Sequence, residues 1–448
     1  PFASSGLRAS PPKAGRRKAE NLFYGEGEIL TLPAKNILQI SARIATFILF
    51  FLALALNEWA FEFVLPTARE VDYFVRFLVL ITDVFFVDVI AILFFFGKDL
   101  SVTQTLKRVS GLFPKLTALY FGLFVSFAIF CCVEFGTRYY FKHFYKPLFK
   151  DVTEWNPKPT VPDSVFAYRL PENKTINHRY LVNDTLIYEQ NYLIDEFSRR
   201  ITAADTTPKN KFIAVAGCSF AFGYGVKDDE TLPYYLQKQM QVYEAYNYGV
   251  SGYGTQHLLL QTRKKITPKE IKQKEGILIY FFIDNHLNRL IGSRRIMKLW
   301  GENFPYFFLN EEKKLQQDGT FITGRKWKTL IYKTLTNSAI VDILDLEIPF
   351  HISDNDFKLA AAVITESKKE FEKNFPSSRF VVLFCPGSKC SGELAALLAK
   401  RNIDFVDYSK LFDINSPEYR SHYSDPHPNG KAYEEMAKKL SIYLKKAQ

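Results

Sequence analysis

The second half of this sequence predicts a doubly wound α/β fold, a parallel sheet with helices on both faces, and the first third predicts an all-α region of about three transmembrane helices. Three observations carry this. Short runs rich in Val, Ile and Phe recur at Phe212–Ala216, Ile277–Ile283 and Phe380–Phe384, as strands buried on both faces require. Segments of helical periodicity separate them, notably Thr231–Met240, Leu258–Lys265, Phe357–Asn374 and Ala432–Leu444, which is the alternation of a doubly wound sheet. Phe is concentrated in the first third of the chain, with 23 of its 42 residues within positions 1 to 149, where charges become scarce, a composition suited to lipid contact.

Residues 1 to 36 are polar and basic, with Arg16, Arg17 and Lys18 in a row and no periodicity that would bury a face. They are expected to form a disordered tail. Within residues 37 to 140 come three apolar segments, 37 to 65, 73 to 96 and 116 to 135, each near the length a helix needs to cross a bilayer. Arg43 precedes the pure run Ile44–Leu56, so a secretory leader ending near Ala53 to Leu56 is the rival reading. The stretch before it is long for a leader, which favours an uncleaved anchor. Lys98, Lys107, Arg108 and Lys115 lie in the second loop, and basic residues there and in the tail place both on the cytoplasmic side. Three crossings then put the chain beyond Tyr140 outside the cytoplasm, as part of a multi-pass protein of the plasma or inner membrane. Arg138, Lys142, Lys146 and Lys150 run against that orientation, but large domains translocate largely regardless of flanking charge. Asp83 and Asp88 interrupt the second segment, and Arg76 shares a helical face with Asp83. Locking one helix to another explains them better than a polar transport path through only three helices.

Residues 141 to 208 form a linker and a β-rich lead-in, with turns at Pro171-Glu172-Asn173 and Asn183-Asp184. The α/β domain follows at 209 to 448, with weaker strands at Glu244–Tyr248 and Ile403–Asp407. Residues 291 to 350 break its alternation and read as an inserted lid, containing a hairpin around Asn310 to Thr320. Among the five cysteines only Cys385 and Cys390 are close enough for a local bridge, and two free thiols suit them equally. The net charge of +11 accompanies no nucleic-acid motif, so it reads as membrane-flanking charge, with membrane lipids and not nucleic acid as the partner. Scattered histidines without zinc spacing argue against a metal, and Gly223-Tyr224-Gly225 lacks the rest of a nucleotide fingerprint. No cofactor is expected.

Four blocks bear chemistry, each at a strand end, where open α/β sheets gather active groups. The first strand runs into Gly217-Cys218-Ser219-Phe220-Ala221-Phe222-Gly223, so that Ser219 emerges at a tight turn toward a helix. The second ends in Gly249-Val250-Ser251-Gly252, where a glycine can bring a bare N–H to a substrate oxygen. The third ends in Ile283-Asp284-Asn285-His286, and the last helix is preceded by Ser424-Asp425-Pro426-His427. Asp425 and His427 are the right types for a base and the carboxylate that orients it.

In this order the blocks resemble the SGNH (GDSL-like) hydrolase family over roughly residues 210 to 445, and the helices ahead of them resemble its membrane-anchored bacterial envelope members. The resemblance implies a flavodoxin-like three-layer sandwich with Ser219 as nucleophile, His427 as base, Asp425 as its partner, and Gly252 and Asn285 in the oxyanion hole. It implies an esterase or acyltransferase acting on ester-bearing envelope glycans or lipids, for example on O-acetyl groups. Two positions depart from the family pattern. Cys218 stands where an Asp is usual, and the third block lacks the usual Gly-x-Asn-Asp. These departures raise the alternative of an inactive scaffold, and they leave open whether His286 joins the site or merely neighbours Asp284. A thiol nucleophile at Cys218 has nothing in the motif to aim it.

Overall fold

A computed structural model describes residues 113–145, 150–202 and 207–446. The chain divides into two units, and the larger, Leu116–Gln448, holds the α/β fold. The tail, the segments 37 to 65 and 73 to 96, and Arg76, Asp83 and Asp88 lie outside the described residues.

The third apolar segment falls within helix α1 (Phe113–His143). Among the described residues no helix is long and apolar enough to cross a membrane. Near its C-terminal end α1 is tied to protein. The Glu134 carboxylate is buried and accepts from Ser338 Oγ at 2.8 Å, Ala339 N at 2.7 Å and Ile340 N at 3.1 Å. Those amides open a short helix, where a negative charge is favoured.

The lead-in is antiparallel. Strand β1 (Asp151–Asn156) pairs with β4 (Lys174–Val182), and β4 with β5 (Thr185–Ile194), while β2 (Val161–Asp163) and β3 (Ala167–Arg169) form a small hairpin of their own. Asn183 and Asp184, both at positive φ (50° and 62°), make the turn between β4 and β5, the left-handed pair that a two-residue hairpin needs. A bridge from Arg200 to Asn247 links the lead-in to the edge of the main sheet.

That sheet contains β6 (Lys211–Gly217), β7 (Tyr243–Gly249), β8 (Glu275–Phe282), β11 (Arg379–Phe384) and β12 (Asp404–Asp407). All neighbours are parallel, in the order β12-β11-β8-β6-β7. The pleat sends alternate residues to opposite faces. Phe212, Ala214 and Ala216 of β6, Tyr280 and Phe282 of β8, and Phe380 and Val382 of β11 join one apolar layer. The helices of that layer are α4 (Thr255–Lys264), α10 (Asp354–Asn374) and α11 (Ser391–Ala399). Ile213, Val215, Ile279, Phe281 and Val381 join the other, against α3 (Leu232–Gln239) and α12 (Gly430–Lys446). This is the three-layer sandwich. Each large side chain so buried contributes about 1.5–3 kcal/mol, which is why these strands read as continuous apolar runs.

After β8 the chain runs through α5 (Asn285–Ile291) into an insertion that breaks the alternation. It comprises α6 (Arg294–Leu299), hairpin strands β9 (Pro305–Leu309) and β10 (Leu315–Thr320), and helices α7 (Phe321–Gly324), α8 (Lys326–Thr336) and α9 (Ala339–Ile343). Phe304, Phe321 and Tyr332 give it a small core of its own.

Candidate active site

The site begins where β6 stops. Gly217 has φ of +153°, and a Cβ there would lie 2.8 Å from Phe281 O and 2.9 Å from Ala221 Cβ, so the turn accepts only glycine. Cys218 then precedes the single turn α2 (Ser219–Phe222), which Ser219 opens. The strand order reverses at β6, which places α2 at the switch point where such sheets bind ligands.

Three braces hold this turn. Gly249 at the end of β7 presses so close that a Cβ would sit 2.1 Å from Phe222 N. Tyr433 Oη donates to Phe220 O at 2.8 Å. The buried Arg200 guanidinium donates to Phe222 O at 3.0 Å, Gly223 O at 2.5 Å and Val226 O at 2.7 Å, and pairs with Asp228 at 2.7 Å.

From the other end of the domain, the turn before α12 brings Asp425 and His427 to Ser219. His427 Nε2 lies 2.8 Å from Ser219 Oγ, and His427 Nδ1 lies 2.5 Å from Asp425 Oδ1. An ionised carboxylate only accepts, so Nδ1 carries the proton and Nε2 presents its lone pair to the serine hydroxyl. Asp425, only 4% exposed, also accepts from the His427 backbone N–H at 3.0 Å and from Tyr188 Oη at 2.7 Å. Burial pushes its pKa up, but the bonds from His427 and Tyr188 outweigh that and hold the carboxyl below its ordinary range. Burial and the Asp425 charge together raise the Tyr188 hydroxyl, which stays a donor. The Tyr224 ring stacks on the His427 imidazole at 4.3 Å and 24°, limiting how it can swing.

The neighbouring loop is equally constrained. Val250 N donates to Gly217 O at 3.1 Å, Tyr168 Oη to Ser251 O at 2.8 Å, and Gly254 N to His257 Nδ1 at 3.1 Å. Gly252 between them has φ of +84°, and its N–H donates to no group among the described residues. Such a donor is free for a developing oxyanion. The Ser219 N–H, in the first turn of α2, likewise has no acceptor within its own helix.

The third block divides its residues among different tasks. Asn285 is exposed at the start of α5 and is hydrogen-bonded to no member of the relay. Asp284 accepts from Ser388 Oγ at 2.5 Å and Lys389 N at 2.7 Å, fixing the loop after β11. His286 is fully buried with Nδ1 2.8 Å from Tyr280 Oη, so it belongs to the core. Cys218 is buried in the apolar layer of Ile213 and Val215. Cys385 and Cys390 are free thiols. Among the described residues no group of side chains could hold a metal ion.

Three supporting residues went unread in the sequence: Tyr188, Tyr224 and Arg200. Tyr188 and Tyr224 act across long stretches of chain, 237 residues in the case of Tyr188 and Asp425, while Arg200 reaches groups 22 to 28 residues on. The only signal for any of them is Arg200 itself, a charge placed just before the first core strand.

No family model matches this chain, and no curated protein matches it. Several solved structures do align with it. An acetyl xylan esterase from the rumen bacterium Butyrivibrio proteoclasticus aligns over 67% of this chain and 87% of its own, with 12% identity and a TM-score of 0.33. A family two carbohydrate esterase from Clostridium thermocellum, solved with cellohexaose, covers 67% and 85% at 11% identity and a TM-score of 0.33. A member of the lipolytic G-D-S-L family from Veillonella parvula covers 52% and 98% at 14% identity and a TM-score of 0.29.

Proposed function

We propose that this chain is a membrane-anchored serine esterase or acyltransferase of the SGNH type, acting on ester-linked acyl groups of envelope glycans or lipids outside the cytoplasm. The observation that carries the catalytic part is the relay from Ser219 through His427 to Asp425, at 2.8 and 2.5 Å. An inactive scaffold has no need to keep an imidazole in the one tautomer that accepts a serine proton.

Ser219 Oγ attacks the ester carbonyl carbon while His427 Nε2 takes its proton. The resulting imidazolium is balanced by Asp425. The carbonyl oxygen, now negative, is met by the Ser219 and Gly252 N–H groups, with the exposed Asn285 just beyond the end of β8 as a further donor. The tetrahedral species collapses, its C–O bond to the alcohol breaks, and His427 returns the proton to the leaving oxygen. Water, or a sugar hydroxyl, then attacks the acyl-serine with His427 again as base, the acyl–Oγ bond breaks, and His427 returns the proton to Ser219 Oγ. Both acceptors use the same residues, so one site serves hydrolysis and transfer alike.

The membrane part is supported by the apolar first third of the sequence and by the surface of the insertion. Trp327 and Phe350 of that insertion are 77% and 76% exposed, and Lys326 and Lys328 flank Trp327. Aromatic and basic side chains together suit a lipid–water interface.

Turnover of a small acetyl ester by the full chain, wild type against Ser219→Ala, tests the catalytic assignment. Loss of about 10⁴-fold or more is expected, together with loss of fluorophosphonate labelling. Equal turnover by the two proteins would remove Ser219 from the mechanism.

A further inference from the structure

A cleft of about 330 Å³ opens directly beside the relay. Tyr224, which stacks on His427, forms one side of it, and Ser251, the residue before Gly252, forms another. We propose that this cleft is a subsite for the ring of an uncharged sugar, with Trp155 and Trp300 as its specificity-determining walls. The proposal rests on the esterase reading and names the alcohol side of its substrate.

The volume is the first reason. It falls at the lower end of small-molecule sites, about 300 Å³ and upward, and far exceeds what an acetyl group fills. The chemistry of the lining is the second. Trp155, Tyr168, Tyr224 and Trp300 supply aromatic faces, and no charged side chain lines the cleft. Flat apolar faces complement the C–H face of a pyranose, while its hydroxyls need partners at the edges. The Thr160 and Ser251 hydroxyls also line the cleft, and neither makes a hydrogen bond among the described residues. A long acyl chain asks instead for an aliphatic tunnel, and here the aromatic rings, Phe222 among them, supply more of the wall than the aliphatic Pro159, Leu170 and Ile176.

The origin of the two tryptophans is the third reason. Trp155 comes from β1 of the lead-in, its ring held parallel to His178 at 4.0 Å and 5°. Trp300 follows α6 in the insertion and remains 42% exposed. Its indole reaches the Gly252 loop, where a Cβ on Gly252 would lie 3.0 Å from Trp300 Nε1. Two segments outside the α/β core thus each lend one wall, Trp300 beside the Gly252 loop and Trp155 edge-on to Tyr224 at 5.6 Å. The buried relay needs neither ring to carry out its proton transfers.

The test compares Trp155→Ala, Trp300→Ala and the corresponding Phe variants in the full chain on two acetyl esters. One is an O-acetylated xylo-oligosaccharide, the other is triacetin, which has no ring. Each Ala variant should lose about tenfold in kcat/KM on the sugar ester, leave triacetin turnover unchanged, and be largely rescued by Phe. Equal losses on both esters, or no loss on either, would overturn the proposal. So would a wild type with no preference for the sugar ester. A loss that instead grows with acyl length, from acetate to octanoate, would assign the cleft to the acyl chain. Triacetin turnover that Ser219→Ala abolishes secures the esterase reading separately, so its failure is distinguishable from failure of the cleft.

Discussion

Acidification from pH 7 to pH 5 should remove about 4 kcal/mol of stability from the α/β unit through His178 and His257, with His286 acting in the same direction, because all three are buried in neutral form. Burial depresses His178 and His257 to about 3, and burial with the nearby Arg289 charge puts His286 well below its ordinary value. Burial is the chief cause in all three, and the local geometry adds to it. His257 Nδ1 accepts from Gly254 N at 3.1 Å while Nε2 stands 3.2 Å from Phe166 O, so protonating Nδ1 breaks the first bond. His178 Nε2 and His286 Nε2 are buried with no partner, and a charge there would be uncompensated. The unfolded chain protonates these rings below their ordinary 6.5, whereas the folded chain resists until about 3. Stability is therefore complete above the unfolded value and falls as pH drops through that window. At pH 5 the deficit is about 1.5 pH units, or about 2 kcal/mol for each of His178 and His257. Urea unfolding of the full chain at the two pH values measures the sum. In His178→Phe, which keeps a ring against Trp155, the pH 7 to pH 5 difference should shrink by about 2 kcal/mol. A wild-type difference under about 2 kcal/mol, or an unchanged difference in the variant, would refute the buried-neutral assignment.

Other outcomes follow from the braces of the site. Tyr188→Phe removes a charge-assisted donor to Asp425, worth about 1.5–3 kcal/mol. Its carboxyl should titrate at higher pH, and the acid limb of the kcat/KM profile should move upward with it. Arg200→Lys breaks contacts to three carbonyls behind Ser219, and urea unfolding should register a loss of about 3–5 kcal/mol. Gly249→Ala forces a methyl against Phe222 N, which should cost about 1–3 kcal/mol and slow fluorophosphonate labelling of Ser219 more than it lowers stability.

The three central strands β6, β8 and β11 were legible because each is buried on both faces, and such a strand has no polar side to hide its apolar run, whereas the edge strands β7 and β12 keep polar positions and read more weakly. Phe212–Ala216 and Ile277–Ile283 differ from the observed strands by only a residue or two at each end. The lead-in was readable from its turns, since Asn183 and Asp184 are among the few residues that take left-handed conformations easily. The third block was not resolvable. Asp284, Asn285 and His286 share one helical turn, and which of them meets a loop, solvent or the core depends on what packs against each side.

Local chemistry, then, is written in the chain: alternation of apolar strand and amphipathic helix, glycine at tight turns, and the residue types of a nucleophile, base and carboxylate at strand ends. Assembly of those types into a relay spans 208 residues between Ser219 and His427. The donors that tune it, Tyr188 and Arg200, come from the lead-in, whose sequence carries no catalytic pattern, and its stacking ring, Tyr224, comes from the chain just after the first block. Their roles arise from proximity, which depends on the packing of all the layers at once and has no local signature.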